Sequence, residues 1–168
     1  PPVVGSSPTN TITFLGDDTS TTYISSSSIS FDIVGADNIT FKKFTLNNSG
    51  TTDAYGFRLS DTAEFITIDS CRIAMYYNPG VFDVQAVLAS SSTTSTYGEG
   101  QNANWTTVSN CHITGGDMGI HFEGQNGLNN IGNRFINNLI DNVDDYGFYF
   151  DDQDSLVISG NTISNILN

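Results

Sequence analysis

The chain has 168 residues, with 18 acidic and 5 basic side chains and a net charge of -13. Phosphate binding needs clustered Lys and Arg, so this balance argues against nucleic acid and against anionic membranes as partners. No apolar run reaches the length of a membrane span, which argues against membrane insertion. The abundance of Ser, Thr, Asn and Gly, with few Lys, Glu and Ala, favours turn-rich β-structure over helix.

Taken in chain order, short apolar segments of two kinds alternate. Phe31-Asp32-Ile33 precedes Lys42-Lys43-Phe44-Thr45-Leu46. Phe57-Arg58-Leu59 precedes Asp69-Ser70-Cys71-Arg72-Ile73. Val87-Leu88-Ala89, the weakest match of its kind, precedes Ser109-Asn110-Cys111-His112-Ile113. Ile120-His121-Phe122 precedes Ile136-Asn137-Asn138-Leu139-Ile140, and Phe148-Tyr149-Phe150 precedes Ser159-Gly160-Asn161-Thr162-Ile163.

The central residues of the second kind, Phe44, Cys71, Cys111, Asn138 and Asn161, are spaced by 27, 40, 27 and 23 residues. The 40-residue interval exceeds its neighbours by one Ser-, Thr- and Gly-rich loop at about 90–103. Three members of the first kind follow a glycine, at Gly56, Gly119 and Gly147.

Strands with alternating apolar residues bury one face, and a coil of such strands buries that face only by stacking on another coil. The pattern predicts an all-β, right-handed parallel β-helix of about five to six coils. It forms one segment over residues 1–168, truncated at both ends: the chain opens Pro1-Pro2-Val3-Val4, shows no signal peptide and closes on Ile166-Leu167-Asn168. A Greek-key sandwich is the alternative, but it does not require recurrence near 27 residues. The stack of Phe44, Cys71, Cys111, Asn138 and Asn161 is the expected internal ladder, with Asn138 and Asn161 placed to satisfy amides at the bends.

Residues 7–14, then Gly35-Ala36-Asp37-Asn38-Ile39-Thr40-Phe41-Lys42-Lys43-Phe44-Thr45-Leu46, resemble β-helix repeat segments of very large secreted surface proteins of Bacteroidetes-type bacteria. The closing Ile158-Ser159-Gly160-Asn161-Thr162-Ile163 resembles the general parallel β-helix repeat shared with pectate-lyase-like proteins. The resemblance implies secretion, exposure at the cell surface or in a filament, and adhesion. It specifies fold far better than activity.

Chemistry is sought first on the outward side of the strand series that carbohydrate-active β-helices use. Arg58, His121 and Tyr149 lie there, flanked by Ser60, Glu123 and Asp151. Glu123 and Asp151 fall on adjacent coils, and paired carboxylates with split pKa values can hydrolyse glycosides. A solvated acidic face is the competing reading. No lyase motif surrounds Arg58, and Asp151-Asp152 does not convincingly match the paired aspartates of polygalacturonase-like hydrolases. The weak catalytic candidates are therefore Arg58, His121, Glu123 and Asp151.

Asp141, Asp144, Asp145, Asp151, Asp152 and Asp154 crowd one stretch. Dense carboxylates suit Ca2+, with Asp117, Asp145, Asp151 and Asp152 as ligand candidates, against ordinary surface charge. No other cofactor is indicated. Trp105 and Tyr149 are candidates for stacking on carbohydrate, although Trp105 equally suits packing of the long loop on the body. Cys71 and Cys111 occupy equivalent positions and read as buried reduced thiols rather than a disulfide. Asp61-Thr62-Ala63 and Asp154-Ser155-Leu156 resemble a short O-glycosylation sequon of the same bacteria, with Thr62 and Ser155 as acceptors.

Three functions follow from these features: a structural or adhesive module that associates end to end or with flanking repeats, a polysaccharide-degrading enzyme, and a carbohydrate- or ice-binding surface.

Overall fold

The computed structural model describes residues 6–77, 79, 80 and 83–167. The chain ends read above as cut, residues 1–4 and Asn168, lie at least in part outside these: residues 1–5 and 168 are not described. The described residues contain no helix. They form a parallel β-solenoid of about six turns, in which every named strand pairs in parallel with its equivalents in adjacent coils.

Three sheets make the walls. The first comprises Ile12–Leu15, Ile39–Lys42, Thr67–Asp69, Thr107–Ser109, Arg134–Ile136 and Val157–Ser159. The second comprises Tyr23–Ser26, Thr45–Asn48, Arg72–Met75, His112–Thr114, Leu139–Asp141 and Thr162–Ser164. The third comprises Phe31–Val34, Ala54–Ser60, Val84–Ala89, Met118–Phe122 and Tyr146–Phe150. Short ladders of Ala63–Glu64 on Ala103–Asn104, and of Asn130–Ile131 on Gln153–Asp154, join the third sheet back to the first.

The repeated five-residue segments are corners rather than single strands. Their second residues, Lys43, Ser70, Asn110, Asn137 and Gly160, all have positive φ, between 53° and 67°, and turn the chain from the first sheet into the second. Asparagine and glycine tolerate this left-handed conformation best. The other series pairs in the register its sequence suggests: Phe31, Phe57, Val87, Ile120 and Phe148 stack.

The core is a set of apolar columns running along the solenoid. On the first sheet the column is Phe14, Phe41, Ile68, Val108, Phe135 and Ile158. On the second it is Ile24, Leu46, Ile73, Ile113, Ile140 and Ile163. The interior members are buried, whereas Phe14 is 48 % and Ile158 50 % exposed. Each column thus runs out into solvent at its ends.

The glycines before the third-sheet segments have a packing cause. A Cβ on Gly119 would lie 2.7 Å from Ile140 Cγ2, and one on Gly147 would lie 2.8 Å from Ile163 Cγ2. The third wall passes so close to the isoleucine column that only hydrogen fits there.

Candidate functional site

The outward row of the third sheet holds Asp32, Arg58, Leu88, His121 and Tyr149 in register. Residues 90–102, between Val84–Ala89 and Ala103–Asn104, form the long loop of the third coil and fold against this row. Arg58 ties the loop down. Its Nη2 lies 2.6 Å from Asp32 Oδ1, and its Nη1 donates to the carbonyls of Ser90 at 3.0 Å and Ser92 at 3.4 Å. The side chain is buried and its Nε has no partner.

The loop closes on itself through the Ser90 hydroxyl, which donates to Ser95 O and accepts from the amides of Ser92 and Gly98. Tyr97 then packs edge-on against His121, with ring centroids 5.1 Å apart, and against Tyr149 at 5.8 Å. His121 and Tyr149 are themselves 4.6 Å apart.

Beneath Tyr97 and Tyr149, His121 Nε2 lies 3.2 Å from Glu123 Oε1, and the imidazole Nδ1 is buried without a partner. Burial holds the His121 pKa down near 4, although the Asp151 charge opposes it. Burial, then the charges of Asp151, Glu99 and Asp152, pushes the Glu123 carboxyl up to about 7. Near neutrality the pair is therefore an uncharged imidazole beside a half-protonated carboxyl. Such a carboxyl can hold or release a proton at physiological pH. Glu123 is only 3 % exposed, however, while Asp151 on the next coil is exposed. The two carboxylates do not face one open cleft, as an acid–base pair acting on a polysaccharide must.

The aspartates crowded in sequence are dispersed in space, because each coil carries the chain around three walls. Asp141 lies on the second sheet and accepts from Ser164 and Asn165. Asp154 lies in a short ladder and accepts from Ser155. Asp151 and Asp152 follow the third sheet. Asp117, Asp144 and Asp145 do share a place, lining a cavity of about 270 Å³ with Tyr77 and Leu167. The Asp145 amide donates to Asp117 O, so these two stack on adjacent coils. Burial, followed by the charges of Asp145, Asp144 and Asp83, raises the Asp117 carboxyl to about 6. Among the described residues, no three His, Cys, Asp or Glu side chains converge as a metal ion requires.

The internal column of Phe44, Cys71, Cys111, Asn138 and Asn161 runs inside the corner between the first and second sheets. Asn161 Oδ1 accepts from the Asn138 amide at 2.8 Å, and its Nδ2 donates to Phe135 O. Asn138 repeats this one coil earlier, accepting from the Cys111 amide and donating to Val108 O. The free cysteines aim at the equivalent carbonyls: Cys111 Sγ at Ile68 O, 3.6 Å away, and Cys71 Sγ at Phe41 O, 3.8 Å away. Asn133 does the same at another corner, accepting from the Thr106 amide and donating to Ala103 O. Sequence reasoning missed Asn133, although its 27-residue offset from Thr106 equals that of Asn138 from Cys111.

Thr62 and Ser155 are both exposed, with φ of 56° and 54°. Trp105 is 49 % exposed. Its ring is parallel to that of Phe65 within 8°, with centroids 6.5 Å apart. On the other side it covers Gly132, where a Cβ would lie 2.2 Å from its Cε3. Phe65 was also missed, yet it stands 40 residues before Trp105, the offset that separates Cys71 from Cys111. No family model, curated protein or solved structure matches the chain.

Proposed function

We propose that this chain is a structural or adhesive module of a secreted, cell-surface or filament-forming protein, of the kind its repeats resemble, and that a further solenoid coil stacks on its ends. The carrying observation is the pair of open end faces. At one end Phe14 and Leu15 are exposed, and at the other Ile158, Ile163, Ile166 and Leu167. Terminal strands leave a row of backbone donors and acceptors unpaired, and apolar side chains beside such an edge favour pairing with another strand. In solution the available partner is a second copy of the chain.

Sedimentation of the isolated chain across a hundredfold concentration range tests this. Association that grows with concentration, and that Phe14→Ser together with Ile158→Ser abolishes, supports the reading. A compact monomer at every concentration sinks it.

A polysaccharide-degrading role is the second reading, favoured by a Glu123 carboxyl that titrates near neutrality beside His121. It ranks lower because both residues lie sealed beneath aromatic rings and Arg58 is held by Asp32 and the loop. Release of reducing ends or unsaturated products from a polysaccharide panel, abolished by Glu123→Gln, would reverse that ranking.

A further inference from the structure

The corner that leads into the first sheet is built by Asn38, Phe65, Trp105, Gly132 and Ser155 in successive coils, each with φ between 51° and 70°. Asparagine and glycine are the natural occupants of this left-handed conformation, and a bulky side chain there is an outlier. Two consecutive coils nevertheless carry the two large aromatics. Phe65 is 46 % and Trp105 49 % exposed, so neither serves the core. An unfavourable backbone and apolar area left in water occur together at both positions, whereas Asn38, Gly132 and Ser155 turn the same corner without a large apolar side chain. Strain that the fold does not need points to a ligand-facing role.

The pair is also built as a unit. The rings are parallel within 8°, with centroids 6.5 Å apart, and Trp105 leans over the bare backbone of Gly132 on the following coil. Two residues further along, on the adjoining sheet, Thr40, Thr67 and Thr107 stand in register on the outward face. The result is an apolar platform bordered by a line of hydroxyls at the coil spacing, roughly 4.8 Å.

We propose that Phe65 and Trp105 form a binding platform for an uncharged polysaccharide, its sugar rings stacked on the aromatics and its hydroxyls met by the threonine row. Sugars offer both an apolar C–H face and a hydroxyl edge, which this surface complements. Nucleobases also stack on aromatic rings, but a chain of net charge -13 repels their phosphates, and it repels acidic polysaccharides likewise. The platform is independent of the end-to-end reading, since Phe65 and Trp105 lie on interior coils.

Trp105 is the single tryptophan of the chain, so its emission reports the site directly. The purified chain is titrated with soluble xylan, mixed-linkage β-glucan, mannan and chitin oligosaccharides, and tested for retention on cellulose and chitin. Polygalacturonate, heparin and single-stranded DNA serve as charged probes. We expect a saturable emission shift with at least one neutral glycan and none with the charged probes. The double variant Phe65→Asn, Trp105→Gly installs residues the fold already uses at this corner. It should lose binding at least tenfold, as read by retention or calorimetry, while its Tm holds or rises. Silence across the neutral panel overturns the proposal, as does undiminished binding by the double variant or a preference for the charged polymers. A fall in Tm of the double variant by several degrees also overturns it, because the aromatics would then be structural.

Discussion

His121 and Glu123 form a buried pair in which the carboxyl, not the imidazole, is the group that titrates near neutrality. The imidazole can accept from the carboxylic acid or donate to the carboxylate, so the 3.2 Å contact is compatible with both states. The stability of the fold is not indifferent to which state holds. A carboxyl whose folded pKa is raised from 4.5 to about 7 binds its proton more tightly when folded. Its contribution is fully present below about pH 4.5 and is lost as pH rises through 7.

Glu123→Gln should therefore match the parent at pH 4 and exceed it by about 3 kcal/mol at pH 8, an upper bound from roughly 1.4 kcal/mol per pH unit. His121 acts in the opposite sense: its contribution is lost as pH falls from about 6.5 towards its folded value near 4. That effect is common to both proteins and cancels in the difference. Urea titrations of both proteins at half-unit intervals of pH provide the check, and a constant offset across the range would contradict the assignment.

Asn138 spans two coils, with hydrogen bonds to the Cys111 amide, Val108 O and Asn161. Asn138→Ala removes all of these at a buried corner and leaves main-chain groups unsatisfied. The expected loss is about 2–4 kcal/mol, read as a lower urea midpoint with unchanged slope. Asn142→Gly, at an exposed position with φ of 54° that glycine adopts freely and whose amide bonds Asp141, should cost under about 0.5 kcal/mol.

Cys111 performs the Asn138 role with a weaker donor. Replacing it by asparagine places a stronger donor beside Ile68 O without changing the pattern of the column. Cys111→Asn should retain the fold with a Tm within a few degrees of the parent or above it, whereas Cys111→Leu, which has no donor, should lower it. In the parent, hydrogen bonding with Cys71 and burial raise the Cys111 thiol well above its ordinary pKa, so it should resist thiol reagents until the chain unfolds.

Gly119→Ala probes the narrow point of the solenoid. The added methyl meets Ile140 Cγ2 and Gly147 O, both at 2.7 Å, and neither wall can retreat without breaking a parallel ladder. A loss of about 2–3 kcal/mol is expected. Ile140→Ala removes the Cγ2 that the methyl meets, and thermal melts of the single and double variants measure the coupling, which should be favourable in the pair.

Much of the fold is legible in the sequence, because a solenoid repeats its contacts at the interval of its sequence. The offsets of Phe44, Cys71, Cys111, Asn138 and Asn161 follow the corner column, and the Phe57, Val87, Ile120 and Phe148 register is already present in the spacing. The separation of the first sheet from the second is not legible, since one left-handed residue such as Lys43 or Ser70 makes the corner and neither residue type signals that conformation. The site is harder still. Arg58, His121 and Glu123 look like an exposed constellation until residues 90–102 fold over them, and nothing in a Ser- and Thr-rich loop announces that Tyr97 will seal the histidine. Asp141 and Asp151 look adjacent only because a sequence does not show that they sit on different walls.

Strand pairing here joins residues between 22 and 40 positions apart, whatever the distance to the chain ends. Loop-closure entropy therefore does not accumulate as coils are added, and the folding barrier of each new coil is independent of how many precede it. Such a chain can be laid down coil by coil as it emerges from a ribosome, each finished turn serving as the template for the next.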